Sequence, residues 1–124
     1  MPEVNSGIFK IEELQHDAGQ IMASLSINQN SNIFEGHFPG QPVVPGACML
    51  QLVKDVLEVA LHMPVLLQKA ANIKFISMIT PANNLTANLT ISYKITEEGS
   101  INVNAKLLTN EVTYFKLQAV YIKI

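Results

Sequence analysis

A histidine and a helix start lie at the two ends of one short loop, and these groups are suited to acid–base chemistry. His37 precedes three prolines, at positions 39, 42 and 45, whose rings hold the backbone extended and disfavour helix in the residues before them. The Pro45–Gly46 pair then opens a long apolar run of helical period, because a first helical turn tolerates a residue without an N–H. Imidazole titrates near neutral pH, and unpaired N–H groups at a helix start attract negative charge. The loop is therefore predicted to hold a preset site with a base on one side and backbone donors on the other.

Other residues that could do chemistry carry weaker signals. Cys48 is the single cysteine and lies in the apolar helical run, so a buried, inert thiol is favoured over a nucleophile. The histidines lack the spacing of a metal site, such as two histidines one helical turn apart, so we expect neither a metal nor another cofactor. Structural roles are favoured for His16, at a strand end, and for His62, at a helix end.

The element that must position this site is a helix from Pro45 to about His62. Most of its positions are apolar, and its polar residues fall three or four apart, which places them on one narrow stripe. The stripe consists of Gln51, Lys54, Asp55, Glu58 and His62. A helix with so little polar surface is predicted to be buried nearly all round, and Pro64 ends it.

Strand patterns flank this helix on both sides. Before it, residues 8–16 and 20–28 are joined by Asp17–Ala18–Gly19, which favours a hairpin, although the first of these segments alternates poorly. After it, strands are predicted at residues 70–79, 85–96, 101–108 and 112–124. We find no linker or repeat. The chain is predicted to be one α+β domain, residues 1–124, in which an antiparallel sheet wraps around one long central helix.

Composition narrows the classes of partner. The 124 residues include eight lysines and no arginine, and the formal net charge is −2. The lysines are scattered, so no basic stripe in the sequence indicates nucleic-acid binding. No run approaches the length of a membrane span and the N-terminus shows no secretion signal, so we expect a cytoplasmic protein.

The segment from Asn30 to Gln51 resembles the β-hydroxyacyl-acyl carrier protein dehydratases of type II fatty acid synthesis, which have the hot-dog fold. Their signature, N-x-x-F-F-x-G-H-F-P-G-x-P-x-x-P-G, is matched here at Asn30, Phe34, Gly36, His37, Phe38, Pro39, Gly40, Pro42, Pro45 and Gly46. A second, degraded motif corresponds to residues 74–85. The resemblance covers about residues 8–124 and implies a hot-dog fold.

The resemblance also implies a reaction and a role for individual residues. Family members remove water from a (3R)-hydroxyacyl thioester to give a trans-2-enoyl thioester. His37 matches their base, and the backbone N–H of Gly46 matches the donor to the thioester oxygen. The implied substrate is an acyl chain on acyl carrier protein or coenzyme A. Residues expected to line its site are Phe38, Pro39, Gly40, Val44, Pro45, Ala47, Leu50 and Asp55.

Gln51 departs from the family pattern, which has Glu or Asp at this position. An amide has nearly the shape of the acid but no acidic proton to give to the departing hydroxyl. A homodimer is therefore expected to be a weak dehydratase unless another carboxylate, from Asp55, Glu58 or Glu35, takes over. The alternative is that the active site is shared between two chains, so that His37 works with an acid from a related, Glu-bearing partner in a heterodimer. The reciprocal site of that heterodimer, which has Gln51, would be the weak one, and this chain would then be a catalytically impaired, acyl-binding subunit.

Two further expectations follow from the same comparison. The arginines of the second family motif correspond to Ile76 and Ser77, so docking of an acidic carrier protein would depend on lysines such as Lys54, Lys69 and Lys74. A hot-dog thioesterase is the least favoured function, because thioesterases lack the H-F-P-G loop.

Overall fold

One long helix packs on an antiparallel sheet in the computed structural model, which describes residues 3–4, 8–28, 44, 46–79, 86–109 and 112–124. The elements are β1 (Glu3–Val4), β2 (Phe9–Asp17), β3 (Gln20–Ile27), α1 (Gly46–Leu61), β4 (Val65–Phe75), β5 (Thr86–Ile95), β6 (Ser100–Leu108) and β7 (Thr113–Lys123). The α+β class predicted from the sequence is confirmed, and the one helix of the described residues is the predicted one.

The described strands form one sheet of seven in the order β1-β2-β3-β5-β6-β7-β4, and every pair of neighbours is antiparallel. The helix is inserted between β3 and β4 in the chain, and β4 returns to the far edge of the sheet beside β7. Consecutive strands β5, β6 and β7 form a meander. Among the described strands, β4 therefore pairs on one side only.

Two turns have the backbone that their glycines allow. Gly19, between β2 and β3, has φ of 75°, and Gly99, between β5 and β6, has φ of 90°. This left-handed region is one that only glycine adopts without strain. The Gly19 carbonyl also accepts a hydrogen bond from the Tyr93 N–H at 2.9 Å, which ties the β2–β3 hairpin to β5.

The core lies between the inner face of the sheet and one side of α1. Strands β3, β5, β6 and β7 alternate buried and exposed residues, as a sheet with one solvated face does. The buried residues of the helix are Cys48, Met49, Leu52, Val53, Val56, Leu57 and Ala60. Ala47 and Gln51 are exposed on its other side, and the other helix residues are buried or partly buried, so the helix is buried nearly all round except at these two positions.

The predicted strand at residues 70–79 is also wrong in its bounds. The observed β4 begins at Val65 and ends at Phe75, and its ladder with β7 is interrupted by bulges at Leu67/Lys69 and Ala70/Asn72. Each bulge inserts a residue and shifts the alternation of faces. The first half of the strand therefore lacks a regular alternation of apolar and polar residues, so the sequence pattern did not predict it. A bulge between Ile11 and Glu13 explains the poor alternation of β2 in the same way.

Candidate active site at the helix N-terminus

The start of α1 is seated under an aromatic side chain. A Cβ atom at Gly46 would lie 2.9 Å from Cε1 of Phe75, closer than carbon atoms approach, so the helix start fits beneath the ring only because position 46 has no side chain. The Phe75 ring contacts the fully buried Phe115 with a centroid distance of 5.3 Å. These contacts fix the first-turn backbone N–H groups, which have no partner within the helix, relative to the end of β4.

A backbone hydrogen bond joins one described residue before α1 to the described part of the second motif segment. The Val44 N–H donates to the Ile79 carbonyl at 2.8 Å, and both of these side chains are buried in the core. The Ile76 N–H donates to the Tyr114 carbonyl at 2.8 Å, which extends the pairing of β4 with β7 beyond the end of the strand. The second motif therefore supports the backbone that leads into α1.

The open face of α1 carries three of the predicted site residues. Ala47, Leu50 and Gln51 are spaced by three and four, so they share one face of the helix. Ala47 and Gln51 are exposed and Leu50 is partly buried. Gln51 lies five residues after Gly46, so it projects from the second turn of the same helix.

The amide of Gln51 is paired with a carboxylate of the same stripe. Its Nε2 donates to Oδ1 of Asp55 at 2.9 Å, across one helical turn. Gln51 therefore offers its other N–H and its carbonyl oxygen to a substrate or a water. An amide N–H does not release its proton at neutral pH, so this pair can position a hydroxyl group but Gln51 cannot protonate it.

Glu58, another candidate to replace the missing acid, accepts two hydrogen bonds that have a structural role. Its Oε2 accepts the Val65 N–H at 2.9 Å and its Oε1 accepts from the Lys54 ammonium at 3.3 Å. The first bond holds the start of β4 against the helix. Of the described stripe carboxylates, Asp55 is the one beside Gln51.

The remaining predicted site residues divide into two groups. Val44 is buried in the hydrophobic core and does not face an open cleft. The others lie outside the described residues, and their roles stay predictions: Glu35, His37, Phe38, Pro39, Gly40 and Pro45.

The interpretations of Cys48, His16 and His62 agree with their surroundings. Cys48 is 6% exposed. His16 Nε2 lies 2.6 Å from the Tyr93 hydroxyl, which joins β2 to β5 at the edge of the hairpin. His62 follows the last helical residue with φ of 55°, the left-handed backbone typical of a residue that ends a helix.

One buried polar group was not indicated by any sequence pattern. Tyr121 on β7 is 1% exposed, and its hydroxyl has no hydrogen-bond partner among the described residues. Burial raises the pKa of Tyr121 to about 12, because the charged phenolate is disfavoured away from water. Only the strand register reveals that this side chain points into the core.

Neither metal ligation nor a membrane span is seen in the described segments. Their His, Cys, Asp and Glu side chains form no group of three that could hold a metal ion. No described helix is long and apolar enough to cross a membrane.

Two concave features lie away from the helix start. A groove of about 440 Å³ is found on the outer face of the sheet, and a depression of about 760 Å³ lies beside the β2–β3 turn. Neither is lined by Gly46 or Gln51.

Comparison with solved structures defines the class of protein. The chain is similar to the dehydratase heterocomplex ApeI:P from Xenorhabdus doucetiae, with a TM-score of 0.73, 19% identity, and coverage of 91% of this chain and 96% of that one. It is also similar to an HP0420 homologue from Helicobacter felis, with a TM-score of 0.67, 11% identity, and coverage of 90% and 87%. These likenesses, with the sheet and its single helix, show the hot-dog fold.

Comparison of sequences identifies the family. A family model described as ApeI dehydratase matches residues 13–111, most of the chain, and the protein belongs to this ApeI-like family. Curated relatives include 3-hydroxyacyl-acyl-carrier-protein dehydratases FabZ from Oenococcus oeni, 32% identical over 58% of this chain and 57% of the relative, and from Ligilactobacillus salivarius, 30% identical over 68% and 64%. The match with the Oenococcus oeni relative spans little more than half of that protein's length. The predicted resemblance to the dehydratase family is confirmed.

Proposed function

We propose that this chain is a subunit of a dehydratase that eliminates water from a 3-hydroxyacyl thioester to give a trans-2-enoyl thioester. The observation that carries the proposal is the helix start at Gly46, which is held in place by Phe75, with an exposed polar side chain, Gln51, five residues further along the same helix. Elimination needs a donor for the thioester oxygen and a polar partner for the departing hydroxyl, and these two positions supply them.

The reaction assigns a separate task to each group. His37 removes the C2 proton, and the electron pair of that C–H bond forms the C2–C3 double bond as the C3–oxygen bond breaks. Negative charge develops on the thioester oxygen, where the Gly46 N–H and the helix dipole stabilise it. The hydroxyl leaves as water after it takes up a proton.

The source of that last proton decides between two forms of the enzyme. In a homodimer, Gln51 holds the hydroxyl while Asp55, hydrogen-bonded to it at 2.9 Å, is the nearby carboxylate that can relay a proton through water. In a heterodimer, a partner chain with a carboxylic acid at the equivalent position donates the proton directly. Loss of general acid catalysis lowers rates by about 10² to 10⁴, so the two forms differ strongly in activity.

The heterodimer is favoured by the amide of Gln51, and it is supported by the heterocomplex with which this chain shares its fold. A site shared by two chains also requires a surface on which they meet. The edge strand β4 and the segment after it expose apolar side chains of Ile73, Phe75, Ile76 and Met78, with Met78 71% exposed. Apolar side chains beside an unpaired strand edge are typical of an interface.

The proposal is tested in the reverse direction by hydration of a trans-2-enoyl thioester, which is monitored as a loss of the thioester's absorbance. The wild-type chain, His37→Ala and Gln51→Glu are compared on acyl carrier protein and coenzyme A thioesters. Measurable wild-type activity that is lost in His37→Ala, or an inactive wild type that Gln51→Glu activates, supports the proposed reaction. Absence of activity in all three proteins, and in mixtures of the chain with a Glu-bearing homologue, contradicts it.

A further inference from the structure

The open face of α1 leads to a pair of charged side chains. Residues spaced by three and four share one face of a helix, and those that continue this face are Ala47, Gln51, Lys54 and Glu58. Ala47 is exposed and has the smallest side chain of the four, whereas Lys54 and Glu58 are long and partly buried. Small groups therefore lie beside the helix start, and charged groups follow about two turns further on.

The two charged side chains form an ion pair that is fixed in place. Lys54 Nζ lies 3.3 Å from Glu58 Oε1, and the side chains are 31% and 26% exposed. The other carboxylate oxygen of Glu58 accepts the Val65 N–H at 2.9 Å. The carboxylate cannot move away from this face without breaking its bond to the backbone of β4, so the pair is a fixed feature of the helix surface.

We propose that this ion pair ends the apolar part of the acyl site and limits the substrate to chains of about eight carbons. The inference rests on the proposed function, in which the Gly46 N–H binds the thioester oxygen and Gln51 holds the C3 hydroxyl. These two contacts direct the rest of the chain along the helix. Lys54 follows Ala47 by seven residues, about 10 Å along the axis. An extended hydrocarbon of about 1.5 Å bonds advances about 1.3 Å per carbon, so about eight carbons cover this distance.

A longer chain would have to cover the ion pair. Each methylene that is buried against apolar groups raises affinity by about fourfold, whereas covering a charged pair removes water from both charges at a cost in free energy. Affinity is therefore expected to rise with chain length as far as the pair and not beyond it. An ion pair that merely faces solvent predicts a rise that continues with length.

The test is isothermal titration of the full chain with saturated acyl-coenzyme A thioesters of four to twelve carbons. For the wild type we expect affinity to rise by up to about fourfold per methylene and to level off near eight carbons. In Lys54→Met/Glu58→Gln the rise should continue, so that the twelve-carbon thioester binds at least about tenfold more tightly than to the wild type. Glutamine at position 58 keeps an oxygen that can accept the Val65 N–H.

Lys10→Met/Glu12→Gln is the matched control, because it removes a pair of the same residue types, 4.0 Å apart, on the distant strand β2. The limit is supported if the wild type and this control level off near eight carbons and the Lys54 variant does not. A wild-type affinity that keeps rising, the same profile in all three proteins, or no binding of any thioester overturns it. The wild-type profile alone decides the outcome if the Lys54 variant does not fold.

Hydration of eight- and twelve-carbon trans-2-enoyl thioesters separates this inference from the proposed function. Equal kcat/KM for the two lengths in the wild type supports the reaction but overturns the limit on chain length. Affinity that levels off near eight carbons, without hydration by any variant or mixture, overturns the reaction but supports the role of the ion pair in binding.

Discussion

Replacement of Gln51 by glutamate should raise dehydratase activity much more than it lowers stability. The variant replaces the Gln51–Asp55 hydrogen bond of 2.9 Å by two carboxylates one helical turn apart. Like charges at this spacing on a helix surface cost about 0.2 to 0.5 kcal/mol, and the lost hydrogen bond costs up to about 1 kcal/mol. We therefore expect the free energy of unfolding to fall by about 1 kcal/mol near neutral pH, or about 4 °C in the thermal midpoint.

The gain in rate comes from the proton that the introduced carboxyl can donate. The neighbouring Asp55 charge disfavours ionisation of the new group and raises its pKa toward neutral pH, where a general acid works best. General acid catalysis contributes about 10² to 10⁴ in rate, equivalent to about 3 to 5 kcal/mol of the activation barrier. The kcat/KM for enoyl thioester hydration should therefore rise by at least about 10²-fold.

The pH dependence separates this explanation from a general change in structure. Folding raises the pKa of the introduced carboxyl, so the cost of its ionisation to stability grows as pH rises. The like-charge part of the loss in Gln51→Glu should therefore disappear below about pH 4, where carboxyl groups are protonated. Adding Asp55→Asn removes the neighbouring charge and should shift the rate optimum to lower pH. A stability loss of the expected size with no increase in kcat/KM at any pH would refute the acid role of position 51.

Three further predictions concern the groups that hold the site and the core. Tyr121→Phe should leave stability unchanged or raise it near neutral pH, because the hydroxyl is buried without a partner in the described structure. Between pH 10 and 12 the wild type should lose up to about 3 kcal/mol of stability relative to this variant. The reason is that the pKa of Tyr121 is raised from 10.0 to about 12 by folding, so the tyrosine of the unfolded chain ionises first. Urea unfolding at several pH values measures both effects, and equal pH slopes would contradict the burial argument. Gly46→Ala should lower the unfolding free energy of the wild type by about 1 kcal/mol, because the added Cβ would lie 2.9 Å from Phe75. The same substitution in a Phe75→Ala background should cause no such loss. Equal losses in both backgrounds would show that the ring is not responsible. Glu58→Ala should destabilise the protein by about 1 to 2 kcal/mol, because it leaves the Val65 backbone N–H unpaired. Lys54→Gln removes only the ion pair with Glu58 and should cost less than about 0.5 kcal/mol. Thermal unfolding that reverses this order would refute the structural role of Glu58.

The fold was predictable from the sequence wherever one residue pattern determined an element. Strands β3, β5, β6 and β7 alternate cleanly, and the turns at Gly19 and Gly99 are marked by glycine. Strand β4 was misplaced because two bulges interrupt its alternation. The two-residue strand β1 is too short to leave a pattern.

The candidate site was predictable in part. The helix start at Gly46 was recognised from local residue types, whereas the proline loop stays a prediction. The contact of Gly46 with Phe75 joins residues 29 positions apart and depends on the end of β4. The Gln51–Asp55 bond follows from helical spacing once the helix is known.

The most direct test of a site shared between two chains mixes two proteins that each lack one group. His37→Ala/Gln51→Glu retains the acid but not the base, and the wild type retains the base but not the acid. In an equimolar mixture after exchange of subunits, we predict enoyl thioester hydration well above the sum of the two separate rates, because mixed dimers form one site with both groups. A rate equal to that sum, with mixed dimers demonstrated by mass spectrometry, would contradict the shared site.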